Sequence, residues 1–349
     1  MKVKLRGPSQ KLRRASQVFF SLAAIYTGWR FVLFVHNGAL GVSRPPGVEA
    51  FLPLSGLVGL KYWVITGVLN SIHPAATVFL LSFLLMGLLL KRGFCSWVCP
   101  FGLLSEVLWK MGERIFGKNL RLPRGIDYPL RSIKYLVLGL FLWDILFKMD
   151  LNALASFIYG PYNRAADVKL LLFFERISTF SLLVILSFLV LSVPIKNFWC
   201  RYLCPYGALL GALSLLSPMK IKRNEASCID CKLCTYACPS HIEVHRLKTV
   251  HSDECNACFR CVAACPVPDT LNLKLGRRTV GPSVYLLMIL LFFFGLTSAA
   301  RLAHRWENSI TRREYQYILE HVDSPQFSHR TGEQSPQLRV KEASGPGGR

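Results

Sequence analysis

The stretch "CIDCKLCTYACP", residues 228–239, holds four cysteines at gaps of two, two and three residues, with proline after the last. "CNACFRCVAACP", residues 255–266, repeats that spacing. A [4Fe–4S] cube takes one thiolate per iron. Three cysteines at two-residue gaps wrap one cube from a single tight loop, and the fourth, before proline, turns to the partner cube. The rule assigns Cys228, Cys231, Cys234 and Cys265 to one cluster, and Cys238, Cys255, Cys258 and Cys261 to the other. Zinc sites use paired C-x-x-C motifs and do not call for this triplet followed by Cys-Pro, twice over. Two [4Fe–4S] clusters are therefore expected.

The rest of the chain is of another kind. Of its 349 residues 52% are apolar, yet the formal charge is +22. A basic soluble protein would suggest nucleic acid. Here the apolar residues form long uncharged runs of the length that crosses a bilayer, and the basic residues fall between them. No nucleic-acid partner is needed to account for the charge. Five spans are expected, at 18–40, 74–90, 133–151, 170–194 and 282–300. The first lacks a convincing small-residue cleavage site and reads as an uncleaved anchor. Six Lys or Arg precede it; 91–134 carries nine and 196–280 twelve, against two in 41–73 and three in 148–169. That bias puts the N-terminus and both cysteine-rich regions inside and the C-terminal tail outside, in a bacterial inner membrane. The segment 48–73, interrupted by Pro53, glycines and Lys61, reads as interfacial or re-entrant.

The expected fold is an α-helical integral membrane protein of about five transmembrane helices, arranged as two parallel hairpin repeats. A small α+β ferredoxin domain of the bacterial 2[4Fe–4S] type is attached. The expected parts are a basic N-terminus (1–17), spans one to four (18–199), a second C-x-x-x-C-P segment and helix (200–219), the ferredoxin domain (220–280), span five (281–300) and a polar tail (301–349). The end of the tail, "EASGPGGR", reads as disordered.

The repeat shows in "FCSWVCPFGLL" (94–104) and "WCRYLCPYGAL" (199–209), which match position by position at the inner ends of spans two and four. Each contributes a C-x-x-x-C pair: Cys95 with Cys99, and Cys200 with Cys204. At i and i+4 on a helix both sulfurs of a pair face one way. Three readings stand: a further metal centre, redox-active thiols, or packing of a helix end. All twelve cysteines lie in these four motifs on the side expected to be reducing, so disulfides are the weaker reading.

Ionisable residues at membrane depth are site candidates in their own right. Arg30, His36, His73, Asp144 and Glu175, with Arg176, all fall toward the outer side. They suit ion pairing, such as Arg30 with Asp144 or Glu175, or a quinone site with a proton relay. A b-type haem between two histidines is a further reading. His241, His245 and His251 flank the clusters as residues that tune potential. The outer groups and the inner clusters are separated by about 20 Å or more of hydrocarbon.

Taken together, "CSWVCPFG", "CRYLCPYG", "CIDCKLCTYACP" and "CNACFRCVAACP" make the chain resemble the NapH/YccM-like membrane polyferredoxins, a family related to the membrane halves of NosR and CcoG. The resemblance covers about residues 15–300 and implies electron transfer between the quinol pool and a respiratory partner. It implies cluster ligation by the eight ferredoxin cysteines and a shared motif in the other four. The chain has no large flavin-binding N-terminal domain as NosR has, and its tail is short for the C-terminal domain of CcoG-type proteins. The expected role is an electron-transfer subunit of a quinol-linked oxidoreductase. The alternative is an accessory or regulatory factor that supplies electrons for metal-centre assembly. Transport is disfavoured, because no polar path runs through all five spans.

Overall fold

Proline and charge decide where the helices start and stop. A computed structural model describes residues 5, 7–38 and 41–327. Helix α1 (Ser9–His36) is followed by α2 (Pro53–Thr66), α3 (Pro74–Leu89), the short α4 (Gly93–Trp97) and α5 (Pro100–Ile115). Next come α6 (Arg124–Trp143), α7 (Leu151–Tyr159), α8 (Pro161–Arg164), α9 (Ala166–Glu175), α10 (Thr179–Leu191) and α11 (Pro205–Ser214). Strand β1 (Met219–Arg223) leads to two one-turn helices, α12 (Leu233–Ala237) and α13 (Arg260–Ala264), and then to β2 (Leu271–Leu275) and β3 (Arg278–Thr279). Helices α14 (Pro282–Leu302) and α15 (Arg312–His321) close the described chain. Proline opens α2, α3, α5, α8, α11 and α14, where its missing N–H is not needed and its fixed φ suits the first turn.

The expected span count is not reproduced as such. Among the described residues, α1 and α14 are long and apolar enough to cross a membrane, and α9 with α10 makes a third only if a bent pair is one span. That pair bends by 82°, as a broken span or a re-entrant loop does, so the span expected over 170–194 is not one continuous helix. The break has a local cause. Arg176 ends α9, and the Ser178 hydroxyl caps α10 by accepting from the Ser181 N–H at 3.2 Å. Helix α3 has sixteen residues, and α6 starts well before the expected 133, in a charged first half. The segment 48–73, expected to be interfacial or re-entrant, contains the 14-residue helix α2, packed on α3.

Strands β1, β2 and β3 form an antiparallel sheet in that order, with Met219 opposite Leu275 and Arg223 opposite Leu271. This sheet closes the two ends of the cysteine-rich segment onto each other. Its inward residues, Met219, Ile221, Leu271 and Leu273, join one core with Phe79, Phe83 and Met86 of α3, with Leu90 just after it, and with Tyr285 and Ile289 of α14. The cysteine-rich unit and the apolar helices thus share one core.

A second core lies elsewhere, built from Phe31 and Phe34 of α1, Val58 of α2, Leu154 and Ile158 of α7 and Val168 of α9. Into it pack Ile310, Tyr315, Ile318, Val322 and Phe327. The polar tail expected from 301 onward is therefore folded as far as 327, because three of its few apolar side chains fall on one face of α15. The stretch "EASGPGGR" lies outside the described residues.

Candidate metal centres

The two ferredoxin loops have the same backbone. Lys232 and Phe259 hold φ of 60° and 57° just before α12 and α13, and Asp230 and Ala257 hold 47° and 46°. The left-handed residues turn the chain sharply enough to aim three cysteines at one point. Cys238 and Cys265 end the two helices in extended backbone, as residues before proline do. One cavity is lined by Cys228, Cys231, Cys234 and Cys265. A second is lined by Cys238, Cys255, Cys258 and Cys261. Each cavity thus meets three cysteines of one loop and the fourth of the other.

Their surroundings differ. The first cavity is near solvent: Cys231 is exposed, and Ile229 and Tyr236 beside it are about half exposed or more. The second is enclosed by Ile221, Val244, Val250 and Phe259. Burial pushes the Cys238 thiol up to about 12, and the neighbouring sulfurs add to this. Metal must displace those protons, so loading of this quartet is pH-dependent.

The membrane-edge cysteines depart from the expected single helix. Cys95 lies in α4, but Cys99 is the residue before α5, with φ −65° and ψ 123°. Cys200 lies in a π turn (Trp199–Leu203), and Cys204 precedes α11 with φ −70° and ψ 106°. Pro100 and Pro205 force the second cysteine of each pair out of the helical region, so the pairs straddle a break. The four sulfurs still lie within electrostatic reach of one another. The two glycines of the repeat explain the fit. A Cβ on Gly102 would sit 2.1 Å from the Cys95 carbonyl oxygen, and one on Gly207 3.0 Å from Arg92 Nη2.

A polar lattice, unseen in the sequence, joins these parts. Arg92 Nη1 donates to the Asp253 carbonyl at 3.1 Å, Ser96 Oγ to that of Asn256 at 2.6 Å and Trp97 Nε1 to that of Ala257 at 3.1 Å. Gln10 of α1 donates to the Cys258 carbonyl at 2.8 Å, and Lys134 of α6 pairs with Glu254. The loop bearing Cys255 and Cys258 is thus held, carbonyl by carbonyl, by the elements that carry Cys95. Between them lies a third cavity, which touches Cys95, Cys200 and Cys258 and is walled by Arg13, Arg92 and Arg260. The only sequence signal for the lattice is "KRGFCSW", where a Lys-Arg pair directly precedes the first cysteine motif.

The ionisable residues expected toward the outer side divide into separate sets. His36 Nε2 meets Glu175 at 2.8 Å, part-exposed. Asp144 pairs with Lys148 on the surface at 2.8 Å rather than with Arg30, and Arg176 pairs with Asp323. His73 is buried, its Nε2 on the Asn163 carbonyl at 2.7 Å and its Nδ1 3.3 Å from Glu49. Glu49 also pairs with Arg44, which reaches Asp167 at 2.7 Å, and Tyr315 donates to Asp167 at 3.0 Å. The sequence reading missed Arg44, Glu49 and Asp167. Both Nε2 atoms that a haem would take are engaged. His241 Nδ1 accepts from Arg121 Nε at 2.9 Å, and His245 Nδ1 meets Thr235 Oγ1 at 2.8 Å, so two of the three flanking histidines are tied to neighbours.

Comparison with known proteins bears on the same residues. A family described as a 4Fe-4S binding domain matches residues 72–122 and 177–224, the segments that hold the membrane-edge cysteines. A 4Fe-4S dicluster domain matches residues 220–266, which hold the other eight. The chain is 39% identical to YccM of Escherichia coli (strain K12), a protein named for electron transport, over 329 residues and 91% of each chain. It is 26% identical to the ferredoxin-type protein NapH of the same organism, over 73% of this chain and 85% of NapH. It is 29% identical to NirI of Paracoccus denitrificans over 78% of this chain and 37% of NirI. No solved structure matches.

Proposed function

Because this chain belongs to the NapH/YccM-like family of membrane polyferredoxins, we propose that it passes single electrons from the quinol pool to a respiratory partner through two [4Fe–4S] clusters. The observation that carries this reading is the lining of the two cavities. A cube holds its thiolates at four outer corners, so it fits a space ringed by four cysteines and wider than one ion. Cys228, Cys231, Cys234 and Cys265 hold the cluster near solvent, and Cys238, Cys255, Cys258 and Cys261 the enclosed one. Each supplies four thiolates, and the hydrophobic wall that keeps water from the sulfurs is complete only around the enclosed quartet, a difference in exposure that with local charge sets the two potentials apart.

We read the enclosed quartet, which lies across the arginine-walled cavity from Cys95 and Cys200, as the entry cluster, and the quartet with the solvent-exposed Cys231 as the exit toward a partner. The relative potentials of the two set the direction. A quinol releases two protons with its two electrons, and the His36–Glu175 pair is our candidate acceptor.

The test is an anaerobic EPR comparison of single variants. Cys238→Ala should give the spectrum of Cys258→Ala, and Cys265→Ala that of Cys231→Ala. If Cys238→Ala instead matches Cys231→Ala, each loop holds its own cube and the crossed assignment is wrong. A wild-type protein whose clusters stay oxidised with a quinol analogue in membranes would rule out the quinol pool as donor.

A further inference from the structure

We propose that α5 lies in the plane of the bilayer surface, with its outward apolar face among lipid chains and Arg114 and Lys118 on the headgroups of anionic phospholipids. The inference goes beyond the electron-transfer reading and does not depend on it. It rests on α1 crossing the bilayer.

The helix is turned inside out. Ser105, Glu106, Trp109 and Gly112 are buried against the protein. Phe101, Leu104, Val107, Met111 and Ile115 face outward and are between 44% and 66% exposed. Their gaps of three and four residues set them on one stripe of a helix. The polar side is held inward by specific bonds. Glu106 accepts from Arg13 of α1 and lies 3.7 Å from Arg260 of α13, and Ser105 Oγ donates to Asn197 Oδ1 at 3.2 Å. The apolar stripe is left uncovered among the described residues, and water is a poor match for so long a patch.

The neighbours of α5 fix where it lies. Its first turn abuts α4, just beyond α3, where Gly102 sits against the Cys95 carbonyl. Its middle meets α1 at Arg13. Its last turn meets the chain just beyond α10: Gly112 packs on the Val193 carbonyl, and the Leu120 N–H after it donates to that of Pro194 at 2.8 Å. The helix thus runs past one end of three apolar helices. Its depth follows from α1, whose outward side turns apolar at Val18, Phe19 and Leu22, while Lys11 and Arg14 before them are exposed cations. Arg13 precedes Val18 by about 7 Å along the helix axis, at 1.5 Å per residue. The headgroup layer on each side of a bilayer is about 5–8 Å deep, so the Arg13–Glu106 contact falls within it.

Charge favours lipid as the occupant. From Val107 to Arg124 there are five Lys or Arg and one Glu. Lys110 pairs with Glu106, Arg121 with His241 and Arg124 with Glu243. Arg114 and Lys118 are exposed and make no ion pair among the described residues. Their long stems let the charges reach the phosphates while Met111 and Ile115 stay in hydrocarbon. Through Glu106 the same helix meets Arg260, so the lipid surface sets the height of the second cysteine loop.

The test uses the full-length protein in native membranes, with benzoylphenylalanine placed at Met111 and, as a control, at Arg278 on the exposed β3. After illumination, mass spectrometry should find phospholipid adducts at 111 and none at 278. Adducts to protein at 111 would assign the stripe to a partner or a second copy and overturn the proposal. Absence of any lipid adduct there would do the same. The headgroup assignment has its own measurement, native mass spectrometry of the detergent-solubilised protein titrated with phosphatidylglycerol or phosphatidylcholine. Arg114→Glu with Lys118→Glu should weaken phosphatidylglycerol binding by at least about fivefold, the effect of one cation near an anionic surface, and leave phosphatidylcholine binding unchanged. Equal effects on the two lipids overturn the assignment. Wild-type cluster EPR signals in each variant report that the chain is folded.

Discussion

Arg13 donates to both carboxylate oxygens of Glu106, at 2.7 and 2.8 Å, where their side chains are only 1% and 9% exposed. Burial alone would raise the carboxyl pKa, but the bonds and charge of Arg13, with Lys110 nearby, outweigh it and hold the group at about 2. A depressed carboxylate contributes stability that is full above its unfolded value of 4.5 and is lost as pH falls toward 2. Glu106→Gln leaves Arg13 buried without its partner, so thermal unfolding in detergent at pH 7 should show a loss of about 3–5 kcal/mol. Wild type and variant should converge in acid, and equal stability at pH 7 would mean the pair is not buried in the working protein. His241 adds to the same limb. Burial, with the cations of Arg121 and Arg201, lowers its imidazole from 6.5 to about 3. The unfolded chain then binds the extra proton between those values, and stability falls with pH across that window. His241→Gln should flatten the stability–pH curve between about 6.5 and 3. Neither partner of these groups was legible, since Glu106 and Arg13 are 93 residues apart and nothing in their spacing couples them.

At the scale of elements, the sequence spoke clearly where local stereochemistry rules. Proline after cysteine puts four cysteines in extended backbone, and the spacing within the ferredoxin loops suffices to bring sulfurs to one point. It also suggested a single helix through each C-x-x-x-C pair, where the following proline prevails. Long apolar runs marked α1 and α14, whereas the polar run Glu175-Arg176 that bends α9 against α10 reads equally well as a snorkelling pair inside a straight span. Helix α15 did leave a signal, for Tyr315, Ile318 and Val322 recur at helical spacing behind a Thr311–Glu314 capping box. The glycines allow a paired test. Gly102→Ala should destabilise by at least about 2 kcal/mol, because its Cβ would meet backbone rather than a movable side chain. Gly139→Ala, in α6 with open space around it, should be neutral or stabilise by up to about 1 kcal/mol. Chemical denaturation of both variants checks the contrast, and a tolerant Gly102 would mean that α5 does not start hard against Cys95.

For the molecule as a whole, two cores divide the work. One joins the sheet and cysteine loops to α3 and α14, and the other ties α1, α2, α7 and α9 to the folded part of the tail. Ile318 is 3% exposed in the second. Ile318→Ala should cost about 2–5 kcal/mol and speed proteolysis of the tail, while cluster EPR spectra stay unchanged. A matching loss of cluster signals would show that the two cores melt as one. The Gln10 side chain has a wider consequence. It closes on the Cys258 carbonyl across 248 residues, from α1 to the loop that carries Cys255 and Cys258. The loop gains that hold only after both segments have been made and have met, so iron delivered earlier meets cysteines whose backbone is still free to move. Cluster insertion in this loop and the docking of α1 are therefore coupled through one side chain.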